Sequence, residues 1–254
     1  MLDVEQLDRY ARHIVLPGVG GRGQTALLGA RVMVIGAGGL GAPVLQYLSA
    51  AGVGVLGVVD HDVVSLSNLQ RQVLFVTADV GRLKAEVAAE RITALNPGVE
   101  VQATAQQIDE TNVAQAIAGF DIVVDGSDNF PTRYLVNDAC AQAGIPLVYG
   151  AISQFEGQVS VLNAHWQGER GPCYRCMFPE PPAEGTVPSC SEAGVFGALP
   201  GAIGSLMAGE AIKLVVQTGV PLVGILLHLD MAEGTVYRFT LPRNAGCRVC
   251  GAIG

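Results

Sequence analysis

Charge is scarce in this chain, and what there is leans acidic. Only 15% of its 254 residues are charged, and the formal net charge is −8. General nucleic-acid binding rests on phosphate neutralisation by basic groups, so this balance argues against it, although a local basic site stays open. The N-terminal stretch "MLDVEQLDRYARH" carries early acids and no apolar core, so no secretory signal is expected. Repeats at solenoid periods are missing. Charge is also missing between Arg31 and Asp60, a run long enough to cross a bilayer. Gly36, Gly38, Gly39, Gly41, Gly52, Gly54 and Gly57 interrupt that run, and Pro43 sits inside it. It therefore reads as a buried strand, turn, helix and strand, and the expected protein is soluble and cytoplasmic with no membrane partner.

Half of the residues are apolar, and the 33 glycines fall in turns between apolar runs. Both features favour a large core and an α/β chain. Residues 3–29 read as helical with a break at "PGVGGRG", 31–35 as a strand, and about 39–51 as a helix. "GVLGVVD", "VEVQAT", "FDIVVDGSD" and "IPLVYGAI" read as further strands with helices between them. One of those helices shows Leu83, Val87, Ala88, Ile92 and Leu95 at helical spacing and ends at Asn96-Pro97. After about residue 152, "GQVSVLN", "GILLHLD" and "TVYRFTL" read as antiparallel strands, with one long apolar helix at "GALPGAIGSLMAGEAIKLVVQ". The expected fold is a Rossmann-like doubly wound α/β sheet, parallel in its first half and continued by antiparallel strands. We expect one domain over 1–254, with a nucleotide-binding half (1–152) and an elaborated half (153–254).

Gly36, Gly38 and Gly41 match G-x-G-x-x-G directly after a strand and at the head of a helix, where free backbone N–H groups favour phosphate. Gly39 belongs to the same turn, and Asp60 closes the next strand at the offset of a ribose-hydroxyl acceptor. A glycine turn that merely packs strand on helix would read the same way. The stretch "VDHDVVSLSNLQRQ" is more polar than a dinucleotide site needs: it adds Asp62, Ser67, Asn68, Leu69, Gln70, Arg71 and Gln72. A helical turn would present Asn68, Arg71 and Gln72 on one face, and Lys84 opens the next helix. Two cations aimed at one pocket suit a triphosphate; solvated surface charges are the alternative. Asp125 and Asp128 end the fourth strand, where magnesium beside phosphates would find a carboxylate in Asp128, with Asn129 next to it. Asp125 or Asp128 also suits a cap on the following helix.

Six cysteines occur, four of them in two C-x-x-C pairs, Cys173/Cys176 and Cys247/Cys250. The pairs fit a closed four-thiolate zinc site stapling the tail to the mid-chain loop; disulfides and an iron–sulfur cluster are the rivals. Cys140 lies in an apolar helix and reads as buried. Cys190, in "VPSCSEAGV", enters a helix and is a candidate nucleophile or an ordinary loop thiol.

Assembled in order, "RYARHIVLPGVGGRGQ", "VIGAGGLGAPVLQYLSAAGVG", "VDHDVVSLSNLQRQVLF", "VGRLKAE", "DGSDNFPTRYLVND", "GPCYRC", "SCSEAGVFG", "GSLMAGEAIK" and "CRVCG" resemble the ThiF/MoeB family over nearly the whole chain. Its members adenylylate ubiquitin-like sulfur-carrier proteins and are related to ubiquitin-activating enzymes. The resemblance implies that the glycine turn and Asp60 hold the nucleoside of ATP. Asn68, Arg71 and Lys84 would bind its phosphates, Asp128 the magnesium, and the four paired cysteines zinc. Arg12 would reach across a homodimer to the neighbouring subunit's triphosphate, and Cys190 matches a cysteine that takes part in sulfur transfer. The implied partner is a carrier ending in Gly-Gly, docked on the second half. The chain stops at Gly254 with no added sulfurtransferase domain, so the sulfur is expected from a separate cysteine desulfurase or sulfurtransferase. An NAD-dependent oxidoreductase, an enzyme adenylating a tRNA modification and a non-catalytic ATP-binding module are the alternative functions.

Overall fold

The structure, a computed structural model, describes residues 2–183, 186 and 193–253. The N-terminal helical stretch is broken into α1 (Val4–Arg9), α2 (Ala11–Ile14) and α3 (Gly20–Gly29). The uncharged run then folds as its pattern predicts. β1 (Arg31–Ile35) leads through α4 (Gly41–Ala51) to β2 (Val55–Val59), paired parallel with Arg31 opposite Val55. Helix α4 starts at Gly41 rather than at Gly39, because Gly36–Gly39 form the turn that leads into it.

Next come α5 (Lys84–Leu95), β3 (Glu100–Thr104), α6 (Val113–Ile117), β4 (Ile122–Asp125), α7 (Phe130–Ala143) and β5 (Leu147–Ser153). Asn96 ends α5, as the Asn-Pro pair predicts. Its buried amide donates to Tyr10 Oη at 2.9 Å and to the Ser49 carbonyl at 2.7 Å, tying α5 to the N-terminal helices and to α4. β2 and β3 lie on one side of β1, and β4 and β5 on the other, all parallel. The chain therefore reverses its direction of travel between β1 and β4, and open α/β sheets bind ligands in that crevice, beyond the strands' carboxyl ends.

Beyond β5 the sheet turns antiparallel through β6 (Glu156–Leu162), which follows at once in sequence. A small hairpin, β7 (His165–Trp166) with β8 (Glu169–Arg170), leads to α8 (Tyr174–Met177). Helix α9 (Leu199–Val216) precedes the last strands, β9 (Ile225–Asp230) and β10 (Thr235–Thr240). Apart from the β7–β8 hairpin, the strands form one eight-stranded sheet in the order β10-β9-β6-β5-β4-β1-β2-β3, continuous across the expected division at residue 152.

By length and composition α9 could cross a bilayer. Its apolarity has another cause: Ile203, Met207, Ala208 and Ala211 pack into the core against α4, β5 and β6. The contact is close enough that a Cβ on Gly150 of β5 would lie 2.2 Å from Met207 Sδ. Glu210, buried on the same helix, accepts from the Leu222 N–H at 2.9 Å. On β10, Tyr237 and Phe239 stand half exposed.

Candidate active site

A cleft opens at the carboxyl ends of β1, β2 and β4. Gly36 turns at φ +85°, a conformation that side chains disfavour, and its N–H donates to the Val59 carbonyl at 2.8 Å. Gly41 lies under the turn: a Cβ there would fall 1.8 Å from Gly36 O, so this glycine permits close helix–turn packing and does not line the cleft. Asp60 sets the turn's height, accepting from the Ala37 N–H at 2.8 Å and from the Asp62 N–H at 2.8 Å. Burial pushes the Asp60 carboxyl above its usual range, while Lys84 and these N–H groups work the other way.

The polar stretch after Asp60 forms one wall. Arg71 and Lys84 both line the cleft, with Gly36, Gly38, Gly39, Asp60 and Asp62. The Arg71 stem passes over Gly39, and its Nη1 donates to the Ser67 carbonyl at 3.1 Å. Lys84 is buried and its Nζ donates to Asp62 Oδ2 at 2.8 Å. The helical turn foreseen over "SNLQRQ" is a 3-10 turn at Leu66–Asn68, continued by bonds from the Arg71 and Gln72 N–H groups to the Asn68 carbonyl. The Asn68 side chain turns back to accept from the Ser65 N–H at 3.3 Å, and it does not line the cleft. Ser67, Leu69 and Gln70 do not line it either; Leu69 packs on the core and Gln70 lies against Gly197. Gln72, by contrast, does reach the cleft, buried beside Gly38 with no hydrogen-bond partner for its Oε1.

Asp79 anchors this wall, accepting from Arg91 at 2.7 Å and from the Val76 N–H at 2.9 Å.

The opposite wall is the β4–α7 junction. Asp128 faces the cleft, exposed, with no ion pair or hydrogen bond to the described residues. The helix cap falls to Asn129, which accepts from the Thr132 N–H at 2.9 Å, so neither Asp125 nor Asp128 caps α7. Asp125 is fully buried and accepts from the Ser127 N–H at 2.9 Å, and burial pushes its carboxyl up. Two cleft residues, Ser127 and Arg133, were not picked out from the pattern. Arg133 Nη2 donates to the Ser127 carbonyl at 3.1 Å.

Residues remote in sequence meet at the cysteines. Sγ–Sγ separations are 3.6 Å for Cys173–Cys247, 3.4 Å for Cys176–Cys250 and 3.9 Å for Cys173–Cys176, with no disulfide. Four thiolates at 2.3 Å from one tetrahedral ion stand about 3.8 Å apart, so the cluster has the size of a zinc site. Burial raises the Cys173 and Cys176 thiols. Cys247 is buried too, but N–H groups of Cys250 and Val249 hold it at about 7. Cys140 is buried as expected, and Cys190 lies outside the described residues. Arg12 stands exposed on α2 and does not line its own chain's cleft.

This arrangement can seat an anionic nucleotide against Arg71 and Lys84, with the Asp128 carboxylate, unpaired among the described residues, opposite. Comparison with known proteins agrees with it. The ThiF family model matches residues 10–249. The chain belongs to the ThiF family. Among ThiF-type relatives, the sulfur carrier protein adenylyltransferase of Thermus thermophilus is 56% identical over 97% of this chain and 92% of its own length. The SAMP-activating enzyme E1 of Haloferax volcanii is 53% identical over 100% of this chain and 92% of its own. Among solved structures, E. coli MccB with MccA-N7isoASN superposes with a TM-score of 0.83 at 23% identity, covering 96% of this chain and 74% of that one, a likeness of fold.

Proposed function

We propose that this protein is an adenylyltransferase that uses ATP to activate the C-terminal glycine carboxylate of a ubiquitin-like sulfur-carrier protein. The observation that carries this reading is the convergence of Arg71, Lys84 and Asp128 on one cleft at the head of α4, in a chain whose curated relatives are named for this activity.

The carrier's carboxylate attacks the α-phosphorus of ATP, a P–O bond forms to the acyl oxygen, and the bond to the β-phosphate oxygen breaks, so pyrophosphate leaves with the electron pair. The nucleophile is already anionic and needs no base. What the protein supplies is position and neutralising charge. Gly36, Gly38 and Gly39 bring backbone against the nucleotide, Asp60 is placed for the ribose, and Arg71 and Lys84 hold the phosphates. Asp128, a hard oxygen donor without a partner among the described residues, suits Mg²⁺, which when bound would spread the charge of the departing phosphates. The four cysteines suit Zn²⁺ in a closed, structural site.

The chain acts in this reading as one domain and a homodimer, in which Arg12 serves the neighbouring subunit's triphosphate; Val15 and Leu16, exposed beside it, offer apolar surface for such a partner. Sulfur comes later, from a cysteine desulfurase or sulfurtransferase, with Cys190 assigned to that step on the family resemblance. The reaction belongs in the cytoplasm, where thiols stay reduced. An NAD-dependent oxidoreductase leaves Arg71, Lys84 and the cysteine cluster without a role, and the relatives' names support neither it nor a tRNA substrate.

The test is ATP–pyrophosphate exchange with Mg²⁺ and a panel of small carriers ending in Gly-Gly. Exchange that needs the terminal glycine carboxylate is expected. ATP binding without exchange for any carrier would overturn the reading.

A further inference from the structure

Arg133, in the first turns of α7, borders two cavities at once. On one side is the nucleotide cleft with Asp128. On the other is a groove walled by Phe130, Tyr134, Tyr149, Tyr174 and Phe178. These rings pack on one another, Tyr174 lying 5.0 Å from Tyr134, 5.2 Å from Tyr149 and 5.3 Å from Phe178, centre to centre. The Arg133 guanidinium is held between them, 5.6 Å from the Phe130 ring and 5.9 Å from Tyr149, with Nη2 on the Ser127 carbonyl. Its Nε is buried without a hydrogen-bond partner, and it has no carboxylate within ion-pair distance among the described residues. Asp125, whose carboxylate accepts from the Ser127 N–H, helps with Tyr149 and Tyr174 to keep the guanidinium charged but does not pair with it directly.

The guanidinium is therefore held charged at the junction of the two cavities with no carboxylate in contact among the described residues, which leaves it open to an arriving anion. Among the described residues that line the groove, the other charged side chains, Glu156 and Glu180, are acids, so an anionic chain end entering it meets the Arg133 cation at the inner end.

We propose that Arg133 binds the carrier's terminal carboxylate where the aromatic groove meets the nucleotide cleft, and so aligns it with the α-phosphate. The proposal rests on the adenylyltransferase reading. The guanidinium donates to the carboxylate oxygen that does not attack, while the other oxygen forms the new P–O bond and pyrophosphate leaves with the electrons of the broken one. Charge on Arg133 offsets the repulsion between two anions at the moment they must approach. Arg71 and Lys84 act on the phosphates from the far wall and cannot serve this end of the reaction.

The experiment compares a carrier ending in a free carboxylate with the same carrier ending in a carboxamide. Binding is measured in the presence of Mg²⁺ and a non-hydrolysable ATP analogue. Wild type is expected to prefer the acid by roughly 10- to 100-fold, the range of a charge-assisted hydrogen bond. Arg133→Gln is expected to bind acid and amide within about twofold of each other, and in exchange assays to raise the carrier KM and lower kcat. An acid-over-amide ratio in Arg133→Gln equal to wild type overturns the proposal, even where exchange itself is impaired. If Arg133→Gln does not fold, Arg133→Lys carries the test: it lacks the fork geometry, and an undiminished ratio again overturns the proposal. A wild-type protein that exchanges with no carrier overturns the proposal and the functional reading together, whereas exchange in wild type with an unchanged ratio in the variant overturns this proposal alone.

Discussion

Lys84 and Asp62 form an ion pair between unequal partners: Nζ and Oδ2 are 2.8 Å apart, yet the lysine side chain is 5% exposed and the aspartate 55%. The solvated partner can swing away, while the buried one cannot. In the proposed reading Asp62 holds the ammonium until phosphate replaces it. Lys84→Met is expected to lower kcat/KM for exchange by about 10²- to 10³-fold, the usual cost of removing one preorganised charge donor. Asp62→Ala should cost less than about tenfold. Equal losses in the two variants would show that Asp62 belongs to the reacting site and is no mere place-holder.

Asp128 gives the cleanest separation of chemistry from folding. It is exposed and makes no bond to the described residues, so Asp128→Asn should leave the melting temperature within a degree or two, as surface changes do. Exchange should nevertheless fall by at least about 10²-fold, and more Mg²⁺ should recover part of it. A stable variant with full exchange would remove Asp128 from the metal-binding role.

The glycine turn, Asp60, the strand–helix alternation of the parallel half and the cysteine pairs were legible because each signal is local: a turn needs its glycines adjacent, and a metal knuckle needs its thiols three apart. Asn68 and Gln70 were not legible in the same way. Helical spacing puts Asn68 on the face of Arg71, but its Oδ1 accepts from the Ser65 N–H and it does not line the cleft, and Gln70 packs against Gly197, far along the chain. Arg133 was hidden for the opposite reason. Its neighbours Tyr149 and Tyr174 arrive on β5 and α8, and only the pairing of the sheet and the cysteine cluster brings them beside α7.

Tyr174 directly follows Cys173, its N–H donates to Asn137 Oδ1 at 2.7 Å, and its ring lies in the groove wall. The cysteine cluster thus positions the groove more than the nucleotide cleft. One zinc per chain is expected by elemental analysis. Removing it with a strong chelator, or Cys247→Ser, should raise the carrier KM several-fold and lower the melting temperature, while affinity for ATP changes little. Equal weakening of carrier and ATP would indicate general unfolding instead of a local loss at the groove.

Asp79 makes stability and the nucleotide wall pH-dependent in one direction. It is 3% exposed, and burial alone would raise its carboxyl, but bonds from Arg91 and the Val76 N–H, with the charges of Arg91 and Arg82, hold it below the ordinary aspartate value of 3.8. Between its native value and 3.8 the unfolded chain binds more protons, so the stabilisation is complete above 3.8 and is lost as pH falls through the native value. Arg91 and Arg82 are 39% and 41% exposed, so they regain water if Asp79 is removed. The cost is therefore that of lost charge-assisted bonds, about 1–3 kcal/mol, and not the larger penalty of an orphaned buried charge. Asp60 and Asp125 are shifted upward and act in the opposite sense, so the wild-type curve mixes the signs, and the difference between wild type and Asp79→Asn isolates this residue. That difference, measured by denaturant unfolding, should be constant from pH 7 to about 5 and shrink below 4. A difference independent of pH would mean that Asp79 acts through the shape of the loop and not through its charge. Because the loop it anchors also carries Arg71, the variant should bind ATP more weakly at neutral pH as well.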